Sequence, residues 1–326
     1  METALSRVRD WVPGFELDLS LLGLTVLPPL PATLTRLCCS LNNLTFLPLL
    51  PATLTFLDCS SNYLSSLPLL PVTLTLLDCS YNLLTSLPPL PDALTNIDCF
   101  NNQLTSLRLL PATLITLNCH LNHLTSLPLL PATLTTLDCH LNQLTSLPLL
   151  PDALMYIQCS NNHLTSLPPL PATLTTLGCH HNQLTFLPLL PDTLTTLFSS
   201  HNHLTSLPLL PNTLLHLICK NNQLTSLPPL PVTLERLSCH HNQLTSLPPL
   251  PATLLHLSSN NNSFIDRNDE ESIPDFYARV CVWEQETSKK RMLEKTLRFK
   301  EELMMNRWHP TRLDALLDMG FDLDML

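Results

Sequence analysis

Two residue types able to hold a cation or carry a proton recur along this chain at 20-residue intervals. Asp58, Asp78, Asp98 and Asp138 share one position of the interval, with Asn118 between the last two. His120, His140, His180 and His240 share a second position, and His181, His201 and His241 a third. Carboxylates and imidazoles stacked about 5 Å apart on neighbouring strands could bind a cation or sense pH. At these same positions His, Gln, Asn and Ser interchange from one interval to the next, as they do on a solvated face. That interchange argues against a metal site and is what a solvated face would show; the alternative beside it is a footprint for a protein partner. No metal ligands, catalytic residues or cofactor sites are assigned.

Cysteine is the third reactive type. Ten of the 12 cysteines fall at one point of the interval: Cys39, Cys59, Cys79, Cys99, Cys119, Cys139, Cys159, Cys179, Cys219 and Cys239. Ser199 and Ser259 take that place twice. Disulfides need Cβ atoms about 3.8 Å apart and turned toward each other, whereas neighbouring strands lie about 4.8 Å apart with side chains parallel. A column of parallel thiols does not make the tetrahedron of a zinc site, and the chain has no C-x-x-C pair. What remains is a small buried hydrophobe. Serine-nucleophile and zinc-protease motifs are missing, no phosphate-binding glycine loop is present, and 4 glycines in the chain disfavour one.

The element that must place these columns is a strict repeat. Asparagine occupies one point of the frame at Asn42, Asn62, Asn82, Asn102, Asn122, Asn142, Asn162, Asn182, Asn202, Asn222, Asn242 and Asn262, with no insertion. One unit, residues 31–50, reads PATLTRLCCSLNNLTFLPLL. Leu34, Leu37, Cys39, Asn42 and Leu44 fit L-x-x-L-x-L-x-x-N-x-L, the mark of a leucine-rich solenoid. The spacing predicts a strand over 36–40 with Leu37 and Cys39 inward. Leu47 and Leu50 should close the back of the coil, and Pro48 and Pro51 favour an extended return over a helix. The Asn amide both donates and accepts, so a stacked ladder would satisfy backbone groups where the chain leaves the strand. Positions equivalent to 36, 38, 40 and 41 should then face outward on the concave side.

The fold class expected is an α/β repeat. It is a right-handed leucine-rich solenoid of about 12 to 13 coils, with short parallel strands, proline-rich extended convex segments and a small helical C-terminal cap. Residues 1–30 hold an N-terminal cap and a degenerate first repeat, in which Leu17, Leu19, Leu24 and Leu27 keep the frame while Gly14 and Leu22 depart from it. Residues 31–262 form the array. Residues 263–326 form a cap or docking segment.

The spacing L-P-x-L-P-x-x-L-x-x-L-x-x-x-x-N-x-L over 24–264 resembles the bacterial type III effector leucine-rich-repeat family, which includes the NEL ubiquitin-ligase group. This resemblance implies the solenoid fold and a role in protein recognition. Two departures are systematic: Cys stands in the third aliphatic slot, and Leu or Pro stands inside L-P-x-L-P. The NEL activity is not implied here, because its C-x-D motif is absent and Cys281 lies in Arg279-Val-Cys-Val-Trp-Glu.

Beyond Asn262 the chain changes character, holding more than half of all its charged side chains. Helices are expected over 273–285 and 287–306, and a third from Pro310 to Gly320 behind the Thr311 capping box. The segment W-H-P-T-R-L-D-A-L-L from Trp308 to Leu317 resembles C-terminal tails of giant DNA virus proteins. A net charge of −10 without a basic stripe argues against nucleic acid as a partner. No run is apolar enough to be a signal peptide or to span a membrane. Free thiols without such a signal point to a reducing, intracellular compartment, host-cell cytoplasm included.

These features predict a non-catalytic protein-binding scaffold, viral or effector-like, that recognises an unspecified host protein. Two alternatives stay open: an adaptor recruiting a separate enzyme such as a ubiquitin ligase through 263–326, or a structural virion component. One further surface is expected. Leu49, Leu69, Leu109, Leu129, Leu149, Leu189 and Leu209, with Pro89, Pro169, Pro229 and Pro249, would line the convex side if they point outward. Such a stripe would serve self-association or a partner, unless neighbouring leucines cover one another.

Overall fold

The computed structural model describes residues 1–268 and 271–307, with side chains described to residue 298. It divides into two compact units, 1–263 and 264–326.

The first unit opens with helix α1 (Glu2–Arg9), then β1 (Leu17–Asp18). Twelve three-residue strands follow at 20-residue steps, from β2 (Arg36–Cys38) through β6 (Thr116–Asn118), β7 (Thr136–Asp138) and β8 (Tyr156–Gln158) to β13 (His256–Ser258). All 13 lie in one sheet in sequence order. Every pairing is parallel and shifted by one whole repeat, so Leu37 faces Leu57 and Leu57 faces Leu77. That register stacks each frame position on itself.

The core follows from strand alternation. Leu34, Leu37, Cys39 and Leu44 are wholly buried, as are their equivalents at 54, 57, 59 and 64. Burying each leucine contributes about 1.5–3 kcal/mol, but one coil has nothing to bury them against except the next coil. In each return, the Leu34 N–H bonds the Pro31 carbonyl at 3.0 Å, closing a turn that recurs down the array. Leu47 is buried and Leu50 half-buried.

The strands are shorter than expected: 36–38 rather than 36–40. Coil-to-coil bonds continue past the strand, with Cys39 N–H on the Asp58 carbonyl and Leu41 N–H on the Ser60 carbonyl. Yet residue 41 takes φ +54°, and its equivalents from Leu21 to Asn261 do the same. A left-handed residue ends the extended run.

The second unit contains α2 (Ile273–Arg307). This corrects the expectation of two helices over 273–285 and 287–306. No Pro or Gly lies between Pro274 and Arg307, so nothing in the backbone chemistry stops the helix. Ser272 caps its start: Asp275 N–H donates to Ser272 Oγ at 3.2 Å, and that hydroxyl donates to the Asp275 carboxylate at 2.6 Å. Arg279 forks onto Glu271 at 2.8 and 2.6 Å, and Phe264 meets Phe276 at 6.4 Å. The expected third helix and the Trp308–Leu317 segment lie outside the described residues.

Candidate binding surface

The parallel register turns each variable position into a column. Asp58, Asp78, Asp98 and Asp138 end their strands with side chains on the outer face. Three of them close the turn behind the strand. Asp58 Oδ1 accepts from Ser60 N–H at 3.0 Å and Ser60 Oγ at 2.7 Å, and Asp78 does the same with Ser80. Asp138 accepts from His140 N–H at 3.2 Å. Asp98 instead accepts from Asn118 Nδ2 of the next coil. Burial raises the Asp78 pKa, opposed by its bonds to Ser80.

The histidines fall into separate groups. Phe100, His120 and His140 stack ring on ring, 4.3 Å apart at each step. Asp138 sits beside the latter two, at 3.7 Å from His120 Nδ1 and 2.5 Å from His140 Nδ1. Farther along, His181 stacks on His201 at 3.9 Å with His180 edge-on at 5.7 Å. His180 Nδ1 is buried without a hydrogen bond. Burial, with His181 next, lowers the His180 pKa to about 4. His240 faces Ser238 Oγ at 3.1 Å and Ser258 Oγ at 2.9 Å, and His241 packs edge-on against it. The structure therefore brings His120, Asp138 and His140 together, and leaves Asp58 and Asp78 with serines. His120, His140, His180 and His240, expected at the strand ends, lie two residues past them, and His181, His201 and His241 stand at the left-handed turn residue that follows.

Each asparagine of the repeat clips two coils together. Asn62 Nδ2 donates to the Cys59 carbonyl of its own coil at 3.2 Å and to Cys39 of the preceding coil at 3.0 Å. Its Oδ1 accepts from Leu44 N–H at 2.9 Å. The same set recurs from Asn42 to Asn262. A second clip was not read from the sequence. Thr53 Oγ1 meets the carbonyls of Ala32 and Leu34 of the preceding coil at 3.1 and 2.8 Å. Equivalent threonines repeat this down to Thr253, while Ala93 and Ala153 interrupt the column. The recurring P-x-T-L was visible, but its acceptors belong to another coil.

Inside, the ten repeat cysteines are wholly buried and all 12 are free thiols. Burial pushes the thiol pKa up along the column, to about 12 at Cys159 and Cys239. Where serine replaces cysteine, Ser199 and Ser259 bury hydroxyls without partners. On the return side, Leu49, Leu69, Leu109, Leu129, Leu149, Leu189 and Leu209 are 73–85% exposed, and Pro89, Pro169, Pro229 and Pro249 are exposed between and after them.

No protein-family model matches the chain, and no curated protein matches it in sequence. Among solved structures, YopM of Yersinia pestis, a leucine-rich effector protein, is 35% identical with a TM-score of 0.68. The match spans 80% of this chain and 88% of YopM. The chain belongs to the YopM-like leucine-rich repeat family. YopM from Yersinia enterocolitica WA-314 is 31% identical, over 80% of this chain and 82% of that one, with a TM-score of 0.54. The functional domain of InlJ from Listeria monocytogenes, which includes a cysteine ladder, is 30% identical with a TM-score of 0.67. That match covers 76% of this chain and 58% of InlJ. This YopM-like chain stacks its own inward cysteines in ten of its 13 coils, with Leu19 in the first and serine in two others. Among its described residues no helix is long and apolar enough to cross a membrane.

Proposed function

We propose that the chain is a non-catalytic protein-binding scaffold, effector-like or viral in origin, that recognises a host protein through the strand face of the array. One observation carries this reading: inward columns are uniform while outward columns vary. Position 37 is Leu or Ile in every coil, whereas position 36 runs Arg36, Phe56, Leu76, Asn96, Thr116, Thr136, Tyr156. A constant core with a varied, continuous face is how a solenoid presents a recognition surface. Membership of a family that contains leucine-rich effectors supports it further. Acidic net charge disfavours nucleic acid, and the free thiols suit a reducing compartment such as host cytoplasm.

The test is affinity capture from host lysate with the full chain and with Thr136→Arg, Tyr156→Ala and Thr176→Arg combined. Loss of specific partners in the variant supports the strand face. Capture unchanged by the variant rejects it. Partners lost only on removing 263–326 indicate an adaptor that recruits an enzyme such as a ubiquitin ligase. Absence of any partner favours a structural virion component.

The exposed leucine column supports self-association as a second use of the array. A run of apolar side chains this exposed marks a contact surface on most proteins. Glu at Leu109, Leu129 and Leu149 together should leave the chain folded and remove an oligomer seen by light scattering. Unfolding of that variant would place these leucines in the core and end the idea.

A further inference from the structure

We propose that His120, Asp138 and His140 form a binding site for one divalent transition-metal ion, Zn2+ foremost. In the sequence, the interchange of His, Gln, Asn and Ser at these positions argues against a metal, and a 20-residue spacing does not tell which ring atoms face which oxygens. The structure does. His120 follows β6, Asp138 ends β7, and His140 lies two residues beyond it. One ligand atom from each lies within 4.8 Å of the others. Both imidazoles turn Nδ1 to the same carboxylate, His140 toward Oδ1 and His120 toward Oδ2. His120 Nδ1 is shut off from water and makes no hydrogen bond. His140 Nδ1 already bonds Asp138 Oδ1, so an ion entering here would displace the proton they share and also engage the unpartnered His120 Nδ1.

The donor set selects the ion. Two imidazoles and one carboxylate suit Zn2+, Ni2+ or Cu2+, whereas Ca2+ and Mg2+ want oxygen ligands. Three protein donors leave a coordination position open to water or to a group from a partner. The other histidine groups lack one component each. His181 and His201 stack more closely but are ion-paired to no carboxylate among the described residues. His240 faces serine hydroxyls. Asp58 and Asp78 bond serines. Bonding distances of about 2 Å require the two rings, now 12° from parallel, to tilt toward the ion.

Isothermal titration of the full, reduced chain with Zn2+ tests the site. One ion per chain is expected. Asp138→Asn, and His120→Gln with His140→Gln, should each weaken binding about tenfold or more. His181→Gln with His201→Gln should leave it unchanged. Co2+ in place of Zn2+ should give ligand-field bands without a thiolate charge-transfer band. Should the double variant unfold, Asp138→Asn reads the same outcome, since Asn118 already occupies that column position. Equal affinity in the variants, no saturation at one ion, or a thiolate band would each overturn the assignment.

Discussion

The inward slot of the repeat shows how little separates a tolerated residue from a costly one. Cysteine fits because its sulfur is small, apolar in behaviour and content without a strong partner. Ser199 holds the same wholly buried place with a hydroxyl that finds no partner. Ser199→Cys should therefore stabilise the chain, and Cys139→Ser should destabilise it, each by about 1–3 kcal/mol. Cys139→Val should stay within about 1.5 kcal/mol of neutral. Urea midpoints decide, and a Ser199→Cys variant no more stable than the parent would contradict the account of the slot. His180 gives a pH prediction. Its pKa falls to about 4 on folding through burial, so the unfolded chain takes up the proton first. Its contribution is neutral above the ordinary value of 6.5 and becomes destabilising as pH falls from there toward about 4. His180→Gln should lose less stability than the parent between pH 7 and pH 5, measured by the same midpoints.

At the scale of the coil, an asparagine clip and, except where Ala93 and Ala153 interrupt it, a threonine clip join a unit to its predecessor. Asn142→Ala removes bonds to the Cys119 and Cys139 carbonyls and frees the Leu124 N–H, at an expected cost of about 1–3 kcal/mol. The threonine clip offers the converse. Ala153→Thr should place a hydroxyl near the carbonyls one coil back and stabilise by about 0.5–1.5 kcal/mol, read as a rise in thermal midpoint. Much of this element was legible. The Asn, Leu and Cys positions declared the coil and its inward face. The strand ends were not legible, because Leu41, Tyr81 and His181 are ordinary residues in a left-handed turn that usually selects Gly or Asn. The threonine partners were hidden because they lie in the neighbouring coil. The single helix α2 stands where two, over 273–285 and 287–306, are expected, because no helix-breaking residue separates them. The His120–Asp138–His140 group was visible as spacing only, as side-chain torsions decide its contacts.

At the scale of the whole array, uniform inward columns hold the coils together and varied outward columns supply recognition. A repeat that deviated inward would disrupt both of its neighbours, whereas an outward change alters the surface alone. The inward half of that statement carries everything else, including where the histidine, aspartate and leucine columns point. Native-state thiol labelling tests it most directly. The ten repeat cysteines are wholly buried, and Cys38 and Cys281 are half-buried. The account predicts that the ten stay protected until the chain is denatured, with Cys38 and Cys281 alone open to reaction. Rapid labelling of ten or more of the 12 thiols in the folded chain would contradict it.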